Sequence, residues 1–175
     1  MQRLLEACAF AARLHAGARQ KGHAAHPYIN HPIDVALRVA RSPAADEVLV
    51  LAALLHDTVE KAGATQEQIE ALFGPEVARL VAEVTDPPEE DARGLSPSAQ
   101  RLRLADKASN LAALTSSGPG ERDPEALAAY LSRADRVAQA CRATDPVLAA
   151  AYDEAAAAAH AALAPPGQDS LAWGP

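Results

Sequence analysis

Two adjacent polar residues, His56 and Asp57, directly follow VLVLAALL, the most apolar stretch of the chain. An aspartate is almost never fully buried unless it is paired or bound to a metal, so this position requires an explanation. His31 stands where a loop meets a helix, and Asp106 lies within the apolar pattern LRLADKASNLAAL. Imidazole and carboxylate groups together are suitable ligands for a divalent cation.

Four ligands from separate helices would leave coordination positions open for water or substrate, as a catalytic metal site requires. Spacing alone leaves other interpretations open. His31 could cap a helix, and Asp106 could be a solvated surface residue. An isolated His-Asp pair such as His56-Asp57 is weak evidence by itself, since chance produces such pairs often.

The composition indicates one globular domain that is rich in helix. The chain has 175 residues, of which 49% are hydrophobic and 22% charged, and this length suits a single core. Only 3% are aromatic, so the core must be built mainly from Ala, Leu and Val, and Ala-rich sequence favours helices. The net charge of −7 argues against a nucleic-acid partner.

The cysteines and the N-terminal segment indicate a cytoplasmic protein without a membrane partner. Cys8 and Cys141 are too few for a disulfide framework, and both fall in helical patterns where a small buried residue is expected. The first residues carry charges within their apolar pattern, unlike a signal peptide. No uncharged apolar stretch is long enough to span a bilayer.

Apolar spacing and turn residues predict eight helices and no strands. Gly22 and Pro27 predict an irregular loop after the first helix, and Thr65 with Gln68 predicts a capping box. We expect one domain over residues 1–163 and a disordered tail over 164–175. The predicted helices cover approximately residues 2–16, 32–42, 45–62, 66–73, 75–85, 98–114, 124–143 and 146–163.

Four separated segments carry a resemblance to a known family: KGHAAHPYINHPIDVA, AALLHDTVE, FGPEVARLVAEVTD and LADKASNL. In this order they resemble the HD hydrolase domain of the RelA/SpoT family. The closest similarity is to its stand-alone branch, the small alarmone hydrolases, which includes the animal members. The resemblance spans approximately residues 2–150.

The resemblance implies an all-α HD-domain bundle of about eight helices around one metal site. It implies hydrolysis of the 3′-pyrophosphate from guanosine tetra- or pentaphosphate, (p)ppGpp, by a metal-activated water. The implied cofactor is Mn²⁺, although a mixed imidazole and carboxylate site also accepts other divalent cations. The ligands implied for it are His31, His56, Asp57 and Asp106.

The resemblance also implies roles for residues around the metal. Glu60 matches the Glu of a Glu-Asp pair that positions or activates the attacking water in the family. We expect Glu60 and His56 on one face of a single helix, since they are four residues apart. Asn110 matches the family Asn that follows the last metal Asp.

The loop before the first metal ligand is implied to face the nucleotide. Arg19 and Lys21 fall where the family's basic loop residues contact the substrate. Tyr28 belongs to the same motif and is a candidate substrate contact, although simple packing would explain it as well.

The chain departs from the family pattern at several positions. Lys61 replaces the Asp of the Glu-Asp pair, and it could pair with Glu60, hold a substrate phosphate or face solvent. The segment between Asp86 and Asp106 is shorter than in the animal enzymes and lacks a basic helix. Gln20 stands where a basic residue is usual, and Ala126 lies near the position of an Arg in the animal enzymes.

These departures keep alternatives open. The chemistry could be retained with another phosphorylated nucleotide as substrate, such as NADPH through removal of its 2′-phosphate. Alternatively, Lys61 could weaken catalysis and leave an HD module that binds metal and nucleotide. The sequence does not determine the oligomeric state.

Overall fold

The computed structural model describes residues 1–20, 23–85, 92–116 and 124–163, with the backbone alone at 23–25. These residues form nine α-helices and one short two-stranded sheet, so the predicted all-α class is confirmed. The helices in chain order are α1 (Gln2–Leu14), α2 (Asn30–Val39), α3 (Glu47–Leu55), α4 (Thr58–Ala62), α5 (Gln66–Phe73), α6 (Pro75–Val84), α7 (Pro97–Ser116), α8 (Pro124–Cys141) and α9 (Pro146–Leu163).

Helix α3 is the central buried helix that its apolar sequence predicts. The Asp46 carboxylate caps it by accepting a hydrogen bond from the Leu49 backbone N–H at 2.7 Å. α3 packs against α1, α2 and α6, and six of its nine residues are buried. A helix buried on nearly every side suits a sequence without a polar face.

Helix α7 organises the other half of the bundle. It packs on α2, α8 and most extensively on α9. The buried face of α9 is largely alanine, including Ala155, Ala156 and Ala159, and small side chains allow the two helix backbones to approach closely. α3 and α7 therefore provide the rigid framework on which His56 and Asp106 are placed.

Two predicted helix boundaries are confirmed by their hydrogen bonds. Thr65 and Gln68 form the capping box, with bonds of 3.3 Å and 3.0 Å between each side chain and the backbone N–H of the other residue. The Asp145 carboxylate accepts from the backbone N–H groups of Val147 and Leu148 at the start of α9. These caps satisfy backbone donors that have no partner within the helix.

The prediction of no strands was wrong. Strand β1 (Arg19–Gln20) pairs antiparallel with β2 (His23–Pro27), in the segment expected to be an irregular loop. Pro27 is compatible with this ribbon because it ends its strand, where a missing N–H costs little. Just beyond the ribbon, the Tyr28 backbone N–H donates to the Ala18 carbonyl at 2.9 Å, which closes the hairpin.

Smaller differences concern helix ends and the parts of the chain outside the described residues. α1 ends at Leu14 rather than near residue 16, and α2 begins at Asn30, before Pro32. Cys141 is buried and Cys8 half-buried, both as free thiols. Within the described residues no helix is both long and apolar enough to cross a membrane. Lys21, Gly22, residues 86–91 and 117–123, and the predicted 164–175 tail lie outside the described residues.

A candidate metal centre in a cationic cavity

The predicted site residues converge on one cavity of about 620 Å³ between the ribbon, α4, α7 and α8. Lys21 is the exception, because it lies outside the described residues. The others that line the cavity are Arg19, Tyr28, His31, His56, Asp57, Glu60, Lys61, Asp106 and Asn110.

The four candidate metal ligands are buried and lie together. His31 Nε2 lies 3.4 Å from Asp57 Oδ2 and 3.3 Å from Asp106 Oδ1. His56 Nε2 lies 3.1 Å from Asp57 Oδ2 and 3.8 Å from Asp106 Oδ1. Three helical regions supply them: the first turn of α2, the junction of α3 and α4, and the middle of α7. The alternatives of a capping His31 and a solvated Asp106 are therefore wrong.

The hydrogen bonds of the two imidazoles show that this cluster fits a cation. His56 Nδ1 donates to the Ala53 carbonyl at 2.9 Å, which leaves the lone pair of Nε2 directed towards the carboxylates. His31 Nδ1 lies 3.1 Å from the Ser109 hydroxyl. Both Nε2 atoms are buried without a hydrogen-bond partner in the described structure, since their contacts with the carboxylates lack hydrogen-bond geometry. Two unpartnered imidazole nitrogens beside two carboxylates form a donor set for a divalent cation.

The local charges keep both carboxylates ionised. Burial alone would raise the pKa of Asp57, but the His56 and His31 imidazoles and the Lys61 ammonium hold it well below its ordinary value. The pKa of Asp106 is likewise low, because Lys107 and His31 outweigh its burial. Burial opposes protonation of His31, yet its contacts with Asp106 and Asp57 raise its pKa to about 9. Cation binding there would compete with this proton.

Lys61, the main departure from the family pattern, contacts a candidate metal ligand. Its ammonium donates to Asp57 Oδ1 at 2.7 Å and to the Tyr28 hydroxyl at 2.9 Å. Tyr28 in turn donates to Asp57 Oδ2 at 2.6 Å. The Lys61 side chain is 42% exposed. Lys61 therefore does not form the ion pair with Glu60 that the sequence left open. Its positive charge pairs with Asp57 instead.

Asp106 is held from two sides on its own helix. Asn110 Nδ2 donates to Asp106 Oδ1 at 2.6 Å, one turn further along α7. Lys107 Nζ lies 3.1 Å from Asp106 Oδ2. Asn110 therefore orients a candidate metal ligand, in addition to facing the cavity.

The predicted single helix over residues 45–62 is wrong, because the chain breaks at His56-Asp57. Asp57 adopts φ −95° and ψ −1°, and α4 restarts at Thr58. The Thr58 hydroxyl donates to the Leu55 carbonyl at 2.7 Å, which satisfies a carbonyl at the break. His56 and Glu60 consequently do not share one continuous helix, but both still line the cavity.

Sequence reasoning missed several residues around the site. Ser109 contacts His31, and its signal was a hydroxyl at a core position of an apolar helix. His15 is buried, with its ring 4.8 Å from that of Tyr28, and the sequence indicated only that it belongs to the first predicted helix. A further cationic group on α7 and α8 also lines the cavity: Arg103, Lys107, Arg133 and Arg136.

Comparison with known proteins agrees with the resemblance to HD hydrolases that the sequence motifs indicate. The HD domain family matches residues 7–100. The human guanosine-3′,5′-bis(diphosphate) 3′-pyrophosphohydrolase MESH1 is 39% identical over 154 residues, covering 81% of this chain and 86% of that protein. The Drosophila melanogaster protein of the same description is 35% identical over 164 residues, covering 87% and 92%.

A solved structure also matches. It is described as a metazoan ortholog of SpoT that hydrolyzes ppGpp and plays a role in starvation responses. The TM-score is 0.81 at 34% sequence identity, and the match covers 89% of this chain and 94% of that one.

Proposed function

The chain belongs to the HD domain family, and on this basis we propose that it is a metal-dependent phosphohydrolase that removes the 3′-pyrophosphate from (p)ppGpp. The observation that carries this proposal is the pair of buried, unpartnered imidazole nitrogens beside two ionised carboxylates, at the base of a cavity lined with cations. The relatives with this activity match over most of their length. The residues proposed to hold the cation are His31, His56, Asp57 and Asp106.

A divalent cation bound there would lower the pKa of a water molecule and polarise a phosphoryl oxygen. Within this chain, Tyr28 and Asn110 fix the two carboxylates by hydrogen bonds. Glu60 lines the cavity next to Lys61, so it is placed to orient the water or to accept its proton. Arg19 lines the same cavity and contributes a cationic contact to the phosphates.

We propose Mn²⁺ as the working cation, because the resemblance to the RelA/SpoT-type HD hydrolases implies it and a set of two nitrogens and two oxygens can bind it. The same set accepts Fe²⁺, Co²⁺ and Zn²⁺, so the metal must be identified by reconstitution. We also propose that residues 1–163 form the functional domain. A cytoplasmic location remains a proposal that rests on the composition and the two free thiols.

The proposal is tested by incubating purified protein with ppGpp and Mn²⁺ and separating the products by anion-exchange chromatography. We expect GDP and pyrophosphate in equal amounts, and no reaction when a chelator is present. An absence of turnover at high enzyme concentration would reject the activity. Release of inorganic phosphate instead of pyrophosphate would reject the 3′-pyrophosphate as the leaving group.

A second candidate substrate is another phosphorylated nucleotide, such as NADPH through its 2′-phosphate. Two observations favour it: Gln20 and Ala126 both line the cavity, at positions where the family pattern has cationic residues. Fewer cationic residues at these positions would lower the affinity for a highly phosphorylated guanosine nucleotide. Parallel measurement of kcat/KM with ppGpp and NADPH decides between them, and a clear preference for ppGpp would exclude the second candidate.

A further inference from the structure

The described lining of the cavity is positively charged although the chain is acidic. Among the described residues, six cationic side chains line it against three carboxylates, Asp57, Glu60 and Asp106, so this part of the lining carries +3 when the histidines are counted as neutral. The whole chain carries −7. A local excess of this sign in a concave surface concentrates anions. The cationic residues are Arg19, Lys61, Arg103, Lys107, Arg133 and Arg136.

The two lysines are already engaged by the metal site, and the arginines are not. Lys61 pairs with Asp57 and Lys107 with Asp106. Among the described residues, no carboxylate forms an ion pair with the cavity arginines, and Arg103 Nε is buried without a hydrogen-bond partner. Arginines that face a cavity without an acidic partner are suited to an anionic ligand.

Arg133 and Lys107 both contact the ring of Tyr130. The Arg133 guanidinium carbon is 6.0 Å from the centre of that ring, and Lys107 Nζ is 5.8 Å from it. Lys107 is also 3.1 Å from Asp106 Oδ2. A chain of contacts through Tyr130 and Lys107 therefore connects Arg133 on α8 with a candidate metal ligand.

Arg136 follows Arg133 at a spacing that places neighbouring side chains on one side of a helix. Arg136 Nη1 makes two long contacts of 3.3 Å with the carbonyl and hydroxyl of Ser132. These contacts use one nitrogen of the guanidinium and leave its other donors available.

The same helix carries the position where a family arginine is missing. Ala126 lines the cavity, and Arg133 comes seven residues later on α8, which is two turns along the same helix face. Arg133 therefore lies on the same side of α8 as Ala126, at the cavity.

We propose that Arg133 and Arg136 form a binding site for the nucleotide phosphates that are not cleaved, namely the 5′-phosphates. This inference rests on the proposed function, since it assigns the opposite end of the same substrate. Planar guanidinium groups pair with phosphate oxygens through two parallel hydrogen bonds. With the 5′-phosphates held on α8, the 3′-pyrophosphate would extend past Lys107 towards the metal ligands.

The test uses the full-length protein with Arg133→Gln, Arg136→Gln and the double variant. Arg79→Gln is the matched control, because Arg79 is an exposed arginine on α6 outside the cavity. The substrates are ppGpp and a guanosine 3′-diphosphate without 5′-phosphates. We expect each single substitution to raise KM for ppGpp by about tenfold, the loss of a charged hydrogen-bonded contact, with kcat changed less than about twofold. KM for the second substrate and all values for Arg79→Gln should remain as in the wild type.

An unchanged KM for ppGpp in the double variant would overturn the inference while leaving the hydrolase function intact. An equal increase in KM for both substrates would also overturn the inference, because it would mean that the arginines contact the 3′-pyrophosphate that is cleaved. Calorimetric titration of the protein with GDP in the presence of Mn²⁺ tests the inference independently of the proposed activity, because it measures binding and needs no hydrolysis. Loss of GDP affinity in the double variant would support the 5′-phosphate site even if ppGpp were not hydrolysed, and retained affinity would refute it.

Discussion

Removal of the Lys61 ammonium should strengthen metal binding. Lys61 Nζ lies 2.7 Å from Asp57 Oδ1, while the other carboxylate oxygen faces the imidazole nitrogens. In Lys61→Met the stem is retained and the charge is lost. Tyr28 still donates to Asp57, so the carboxylate should keep its position.

The expected change in Mn²⁺ affinity follows from the two positive charges, the Lys61 ammonium and the metal ion, that lie on either side of the Asp57 carboxylate. A single and a double positive charge about 5 Å apart repel by about 2 kcal/mol at a largely aqueous dielectric of about 65, which suits the exposed part of the Lys61 side chain. Physiological ionic strength reduces this to about 1 kcal/mol. The Kd for Mn²⁺ should therefore fall by about fivefold in Lys61→Met.

The assay is calorimetric titration of metal-free protein with Mn²⁺ at low and high salt. The difference between Lys61→Met and the wild type should shrink as salt increases, because the side chain is partly exposed. Arg79→Met, which removes an exposed charge on α6, should bind Mn²⁺ like the wild type. Weaker binding by Lys61→Met would refute the reasoning, since it would mean that the ammonium supports the site.

Three further substitutions test separate parts of the structure. Asn110→Ala removes the 2.6 Å bond to Asp106 and should weaken Mn²⁺ affinity by about tenfold or more; unchanged affinity in the same titration would contradict an orienting role. Thr65→Ala removes the capping box of α5 and should lower the free energy of unfolding by about 1 kcal/mol, measured by urea denaturation, while a change in Mn²⁺ affinity would be unexpected. Burial lowers the pKa of His15, so as the pH falls the unfolded chain takes up this proton before the folded protein does, and the free energy of unfolding should decrease below about pH 6.5. In His15→Asn the decrease due to this residue should disappear. Identical plots of unfolding free energy against pH for the variant and the wild type would show that His15 does not contribute.

The sequence predicted the helices whose apolar pattern or capping residues agree with the way these helices pack in the fold. The apolar run before His56 required a buried helix, and α3 is one. The Thr65 and Gln68 pair required a helix start, which the structure has. The resemblance to the RelA/SpoT-type HD hydrolases, confirmed by the comparisons, brought together ligands that spacing alone left uncertain.

The sequence could not predict features that depend on contacts between distant segments. The break between α3 and α4 occurs inside an unbroken helical pattern, and Thr58 supports it through a side-chain hydrogen bond. The contact of Lys61 with Tyr28 joins residues 33 positions apart. Nothing in the sequence distinguishes Arg133 and Arg136 from other helical arginines, because only the packing of α8 on α7 places them at the cavity.

The most direct test of the central claim is the rate of ppGpp hydrolysis as metal-free protein is titrated with Mn²⁺. The account predicts no activity without the cation and a rate that rises until about one equivalent is bound, because the four protein ligands form a single site with positions left open for water and substrate. His56→Asn should give no such rise, although it should fold. Full activity in the metal-free protein, or an unchanged titration in His56→Asn, would contradict the account.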